Sequence, residues 1–67
     1  MNVGDRITVK GTKDALKHGL GGHWGYIESK EGKSCKVLVF DLDGGLAGPY
    51  TLDEEDLTPG WQGERYW

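Results

Sequence analysis

Two glycines three residues apart in Gly22-His23-Trp24-Gly25, followed at once by Tyr26-Ile27, constrain this chain more than any other feature. Glycine is used where φ must be positive or where another backbone comes too close for a Cβ, whereas Tyr and Ile are strand formers. The stretch therefore predicts a tight turn delivered straight into a strand, with the remaining chain packed around it. Helix is disfavoured elsewhere, because glycine fills 12 of 67 positions, alanine appears only at Ala15 and Ala47, and no long segment keeps a helical period.

Upstream, Val3, Ile7 and Val9 fall at even spacings with Arg6, Thr8 and Lys10 between them, which predicts a half-buried strand from about Asp5 to Lys10. Thr12 to Gly22 reads as a long polar loop in which Lys13-Asp14-Ala15-Leu16-Lys17-His18 has room for one helical turn closed by Gly19. A second strand is expected over Trp24–Ser29, then a polar hairpin with Gly32 available for positive φ. The third strand, Cys35–Phe40, is the most apolar run and the expected centre of the sheet. Alternation points Val37 and Val39 to one face and Leu38 and Phe40 to the other.

Asp41-Leu42-Asp43-Gly44-Gly45 carries the Asp-Gly dipeptide of tight turns, and Gly48-Pro49 reads as punctuation before a short fourth strand, Tyr50-Thr51-Leu52. Thr51 stands three residues before Glu54, the spacing of a capping box, so one helical turn is predicted over Leu52–Asp56. Leu57-Thr58 supplies a last short pairing that Pro59-Gly60 ends. The expected fold is all-β: a small five-stranded barrel over residues 1–58, with a helical turn before the last strand and an aromatic C-terminal tail over residues 59–67.

A chain of 67 residues allows one domain with a thin core, and the single Cys35 leaves no intrachain disulfide. No apolar run approaches the roughly 18 residues of a membrane span, and Met1-Asn2-Val3-Gly4-Asp5 lacks a signal-peptide pattern, so a soluble, cytoplasmic protein is expected. The net charge of −3 conceals an asymmetry. Residues 1–36 hold seven Lys/Arg against four Asp/Glu, and residues 37–67 hold one against seven, so the halves carry +3 and −6.

Five short strands, a long first loop and a helical turn before the last strand resemble a small SH3-like barrel. Gly4-Asp5-Arg6-Ile7-Thr8-Val9, Gly22-His23-Trp24-Gly25-Tyr26-Ile27 and Val37-Leu38-Val39 resemble the KOW pattern of ribosomal proteins and NusG-type transcription factors. A similar layout, closing on an acidic segment like Leu52-Asp53-Glu54-Glu55-Asp56-Leu57, occurs in the small barrel protein of photosystem I known by the letter E. The KOW resemblance implies contact with RNA or a nucleic-acid-handling machine through basic loops. The candidates are Lys10, Lys13 and Lys17 in the first loop and Lys30, Lys33 and Lys36 around the second hairpin. A pI near 5.2 departs from that pattern, since phosphate contacts need a basic surface.

Catalytic and cofactor motifs are not found. His18, His23 and Cys35 lack the paired spacing of metal ligands and nothing places them as a nucleophile and base, so no metal and no enzyme are expected. Gly19-Leu20-Gly21-Gly22 precedes a strand where a phosphate loop needs a helix, and Asp41-x-Asp43-Gly44 lacks the rest of a calcium loop. No cofactor is expected.

The aromatics carry the functional reading. Trp24 and Tyr26 share one face of the second strand, opposite Ile27, and should lie beside Leu38 and Phe40 as an outer apolar patch. The tail adds Trp61, Tyr66 and Trp67. It either folds back over this patch, enlarging a thin core, or docks on a protein partner, a second copy included, in which case a homodimer results. Asp53, Glu54, Glu55 and Asp56 are partly accounted for by the start of a helical turn, and the surplus offers an acidic surface to a basic partner. The expectation is a protein-binding module, with a KOW-type nucleic-acid module as the alternative.

Overall fold

In the computed structural model, which describes residues 1–41 and 43–63, alternating side chains build five antiparallel strands. They are β1 (Arg6–Val9), β2 (Trp24–Glu31), β3 (Ser34–Phe40), β4 (Leu46–Asp53) and β5 (Leu57–Pro59), in the spatial order β4-β3-β2-β1-β5. The middle place belongs to β2, not to β3 as its apolar sequence suggested, because β1 pairs with β2 through Arg6↔Tyr26, Ile7↔Gly25 and Thr8↔Trp24. A short helix α1 (Lys13–Lys17) interrupts the first loop; the Thr12 side chain accepts from the Ala15 amide at its start, and Gly19 follows its end with φ 72°.

Each glycine of the opening motif meets one of the two needs that glycine serves. Gly22 has φ 82°, and its amide donates to the Val9 carbonyl at 2.8 Å, turning the chain into β2 beside β1. Gly25 is buried, and a Cβ there would run into the Leu38 carbonyl oxygen and come within 2.9 Å of Val39 Cα. β2 and β3 pair closely at Gly25↔Val39 because nothing projects between them.

The core lies on one face of the sheet: Ile7, Val9, Ile27, Cys35, Val37, Val39, Leu52 and Leu57, with Ala15 and Leu20 of the first loop completing it. Val37 and Val39 thus face inward and Leu38 and Phe40 outward, as alternation requires. Leu20 draws the polar loop over the core; its amide donates to Ala15 and its carbonyl accepts from His23.

Two departures from the sequence reading concern β4. It runs through Gly48-Pro49, which the sequence presented as punctuation. The ladder steps from Val37↔Tyr50 to Val39↔Ala47, so β4 carries an extra residue there, and proline is tolerated at a bulge on an edge strand. β4 also extends to Asp53, which places Thr51 opposite Lys36 within the ladder and removes it from capping. The turn that follows is a 3₁₀ turn, Glu54–Asp56, capped by the Asp53 carboxylate, which accepts from the Glu55 amide at 2.9 Å.

That turn forces the sheet to curl. β4 and β5 are its opposite edges, yet only four residue steps separate Asp53 from Leu57. Four steps reach at most about 14 Å, whereas the edges of a flat five-stranded sheet stand about 19 Å apart. Backbone hydrogen bonds hold the connection at both sides: Glu54 N donates to Lys33 O at 2.7 Å and Lys10 N to Asp56 O at 2.8 Å. No pairing between β4 and β5 is present among the described residues, so the curl stops short of a closed ladder.

Candidate functional site

The outer face gathers the aromatics. Trp24 and Tyr26 of β2 and Leu38 and Phe40 of β3 are all half-buried, Tyr26 stands opposite Leu38, and Arg6 of β1 lies on the other side of Tyr26. The Tyr26 and Phe40 rings meet edge to face at 5.9 Å. His23 stands at the end of this row, its Nδ1 3.1 Å from the Phe40 carbonyl, to which the Nδ1–H tautomer donates.

Trp61 lies on this face. Its ring stacks parallel to Trp24 at 5.5 Å and meets Tyr26 and Phe40 edge-on at 5.5 Å each, and the Arg6 guanidinium stands 4.5 Å over it. The indole Nε1–H donates to the Gly25 carbonyl at 3.1 Å. The backbone around Trp61 is held as firmly. Thr8 Oγ1 donates to the Gly60 carbonyl at 2.7 Å and accepts from the Gln62 amide at 2.8 Å, while Trp24 Nε1–H donates to the Gln62 carbonyl at 3.0 Å. Gly60 N continues the β1–β5 ladder by donating to Arg6 O at 2.8 Å.

Residues 60–62 therefore form a strap across the outer face, and they explain Thr8, a polar residue only 8% exposed on that face. Of the two destinations open to the tail, Trp61 takes the patch of its own chain. Tyr66 and Trp67 lie outside the described residues. Arg6 and Thr8 are the members of this site that sequence reading missed. Their outward phase in β1 was legible, but nothing in the sequence showed that the tail would cross them.

The acidic segment and the lysines meet one another. Lys30 Nζ pairs with Glu54 at 3.0 Å and also donates to the Met1 carbonyl at 2.9 Å, and Lys33 stands 3.9 Å from Glu55. The hydrogen bond and charge of Lys30 lower the Glu54 pKa below its ordinary value. The acidic surface read from sequence is smaller than four carboxylates: Asp53 serves as a cap and Asp56 is buried beside β1. Lys10, Lys13, Lys17 and Lys36 are exposed on the first loop and β3, apart from the paired Lys30 and Lys33.

Cys35 is buried in the core, and burial raises its thiol pKa above the ordinary value. Among the described residues no cluster of three His, Cys, Asp or Glu side chains is arranged to hold a metal, no pocket is present, and no helix is long and apolar enough to cross a membrane. The Asp41 carboxylate, part of the calcium-like sequence, accepts from the Asp43 and Gly45 amides at 2.9 Å each and so ties its own turn.

No family model, no curated protein and no solved structure matches this chain.

Proposed function

We propose that the chain is a non-catalytic protein-binding module on a partly open SH3-like barrel, and that it binds through the outer face of β2 and β3. The observation that carries the reading is the position of Trp24, Tyr26, Phe40 and Trp61. Four half-exposed aromatic rings and an exposed arginine sit on the face opposite the core, the residue types that anchor protein interfaces. The barrel reading is supported by the five strands, the long first loop and the 3₁₀ turn that carries the chain from one sheet edge to the other.

The KOW-type alternative draws on the same barrel and on the glycine motif. Its electrostatics are weaker, since Lys30 is paired with Glu54 and the chain is acidic. Of the acidic segment, Asp56 is buried and Glu54 is paired with Lys30, which leaves Asp53 and Glu55 as the exposed members that a basic partner could meet.

The deciding experiment is capture of binding proteins by the full chain and by a Leu38→Asp variant. Leu38 faces outward, so a melting curve should show the variant folded. A specific protein retained by the wild type and lost by the variant supports the module; equal retention by both refutes the face. Salt-sensitive recovery of RNA by both forms favours the KOW-type reading instead.

A further inference from the structure

Trp61 is held as a ligand would be held. Its ring meets Trp24, Tyr26, Phe40 and Arg6, its Nε1–H has the Gly25 carbonyl as acceptor, and the peptide groups on either side are engaged by Thr8 and Trp24. The core side chains lie on the opposite face and are complete by Leu57, so the seat is separate from the core and the strap adds nothing to it.

We infer that this seat is a recognition site for an extended, tryptophan-bearing segment of another protein, and that the chain's own Gly60-Trp61-Gln62 strap is its resident competitor. The inference rests on the protein-binding reading above and names the partner class. Three features define the occupant. The aromatic surround takes a flat ring, and the Gly25 carbonyl asks for an N–H donor on it, which phenylalanine and tyrosine lack at that position. Thr8 Oγ1 donates to the carbonyl before the tryptophan and accepts from the amide after it, which fixes the direction of the segment. Gly60 has φ 79°, so the residue before the tryptophan is best a glycine.

A tethered strap competes at an effective concentration of about millimolar. A free segment offering only the strap's own contacts, the strap of a second copy included, therefore displaces it only at about that concentration. The partner must reach further, and Leu38, half-buried opposite Tyr26, is the adjoining apolar surface. Its apparent affinity equals the intrinsic affinity reduced by the fraction of chains with the strap lifted.

The test titrates a synthetic peptide of residues 58–63 into the full-length wild type and into full-length Trp61→Ala, following the amide resonances of Thr8 and Gly25 and the indole N–H of Trp24. The variant should bind at least about tenfold more tightly than the wild type, with shifts confined to the outer face, and a peptide carrying the same Trp61→Ala change should not bind. If Trp61→Ala does not hold its fold, the peptide at about millimolar concentration must still shift these three resonances in the wild type. Folded variant protein with no shift at these groups, equal affinity for the two peptides, or equal binding to wild type and variant overturns the inference. A protein partner captured in a Leu38-dependent manner would leave the binding-module reading standing in that event, so the two fail separately.

Discussion

Replacing Gly25 by alanine tests the claim that β2 and β3 pair closely because nothing stands between them. The new Cβ would overlap the Leu38 carbonyl oxygen and lie 2.9 Å from both Leu38 C and Val39 Cα. Carbon–carbon contacts settle at about 3.5–4.0 Å, so β3 must retreat by roughly 0.6 Å or more, and the obstructing atoms are backbone, which no rotamer change can move aside. Overpacking of a core by side chains costs about 1–3 kcal/mol. Here the retreat also loosens the Gly25↔Val39 pairing and unseats the buried Val39, so about 3 kcal/mol or more is expected. A domain of 67 residues has a total stability of about 3–10 kcal/mol, so the variant should lose roughly a third of its stability or more, up to all of it. Gly32→Ala is the control. Gly32 has φ 60° with nothing within 4 Å of an added Cβ, so only the left-handed backbone is penalised, at about 1–2 kcal/mol. Urea denaturation followed by tryptophan fluorescence and circular dichroism measures both. Gly25→Ala within about 1 kcal/mol of wild type, or less damaging than Gly32→Ala, would refute the close-approach reasoning.

Further outcomes follow from the strap, the thiol and the ion pair. Trp61→Ala should lower stability by about 2–4 kcal/mol, from three ring contacts, a cation–π contact and a hydrogen bond that do not add fully, as read by urea midpoint. Cys35 should resist alkylation in the native state and react on unfolding, as read by mass spectrometry with iodoacetamide. Because the folded thiol pKa is raised above its unfolded value of about 8.5, its contribution is present below that pH and is lost as pH rises through the folded pKa, so the melting temperature should decline in the alkaline range. Glu54 has the opposite sign: its lowered pKa gives a contribution present above the unfolded value of about 4.3 and lost as pH falls through the folded one. Glu54→Gln should therefore flatten the acid limb of a melting-temperature profile without altering the alkaline limb.

The strands were legible wherever side chains alternate without interruption, as at Ile7 and Val9 or Val37 and Val39, since one buried face leaves its mark at every second residue. β4 was half hidden because its extra residue falls at Gly48-Pro49, and a bulge there looks in sequence like the end of a strand. The capping residue was misread for the same cause: Thr51 has the right spacing, but a longer β4 hands the role to Asp53. In the site, Trp24, Tyr26, Leu38 and Phe40 could be placed together from strand phase alone. Thr8 and Arg6 could not, because their partners lie more than fifty residues away, and pairing across such a distance leaves no periodic trace.

The strand order also sets how the chain can fold. β2, β3 and β4 are joined by short turns and can pair as local hairpins, and β1 has β2 beside it, but β5 pairs with β1, and Thr8↔Thr58 closes a loop of most of the chain. Closing so long a loop is entropically unfavourable until the hairpins have shortened it. The seam between β1 and β5 should therefore form last and open first, with refolding in the millisecond-to-second class typical of non-local β topologies. The strap, hydrogen-bonded to Thr8 beside that seam, is then a clasp whose amides should be among the earliest on the sheet to exchange with solvent.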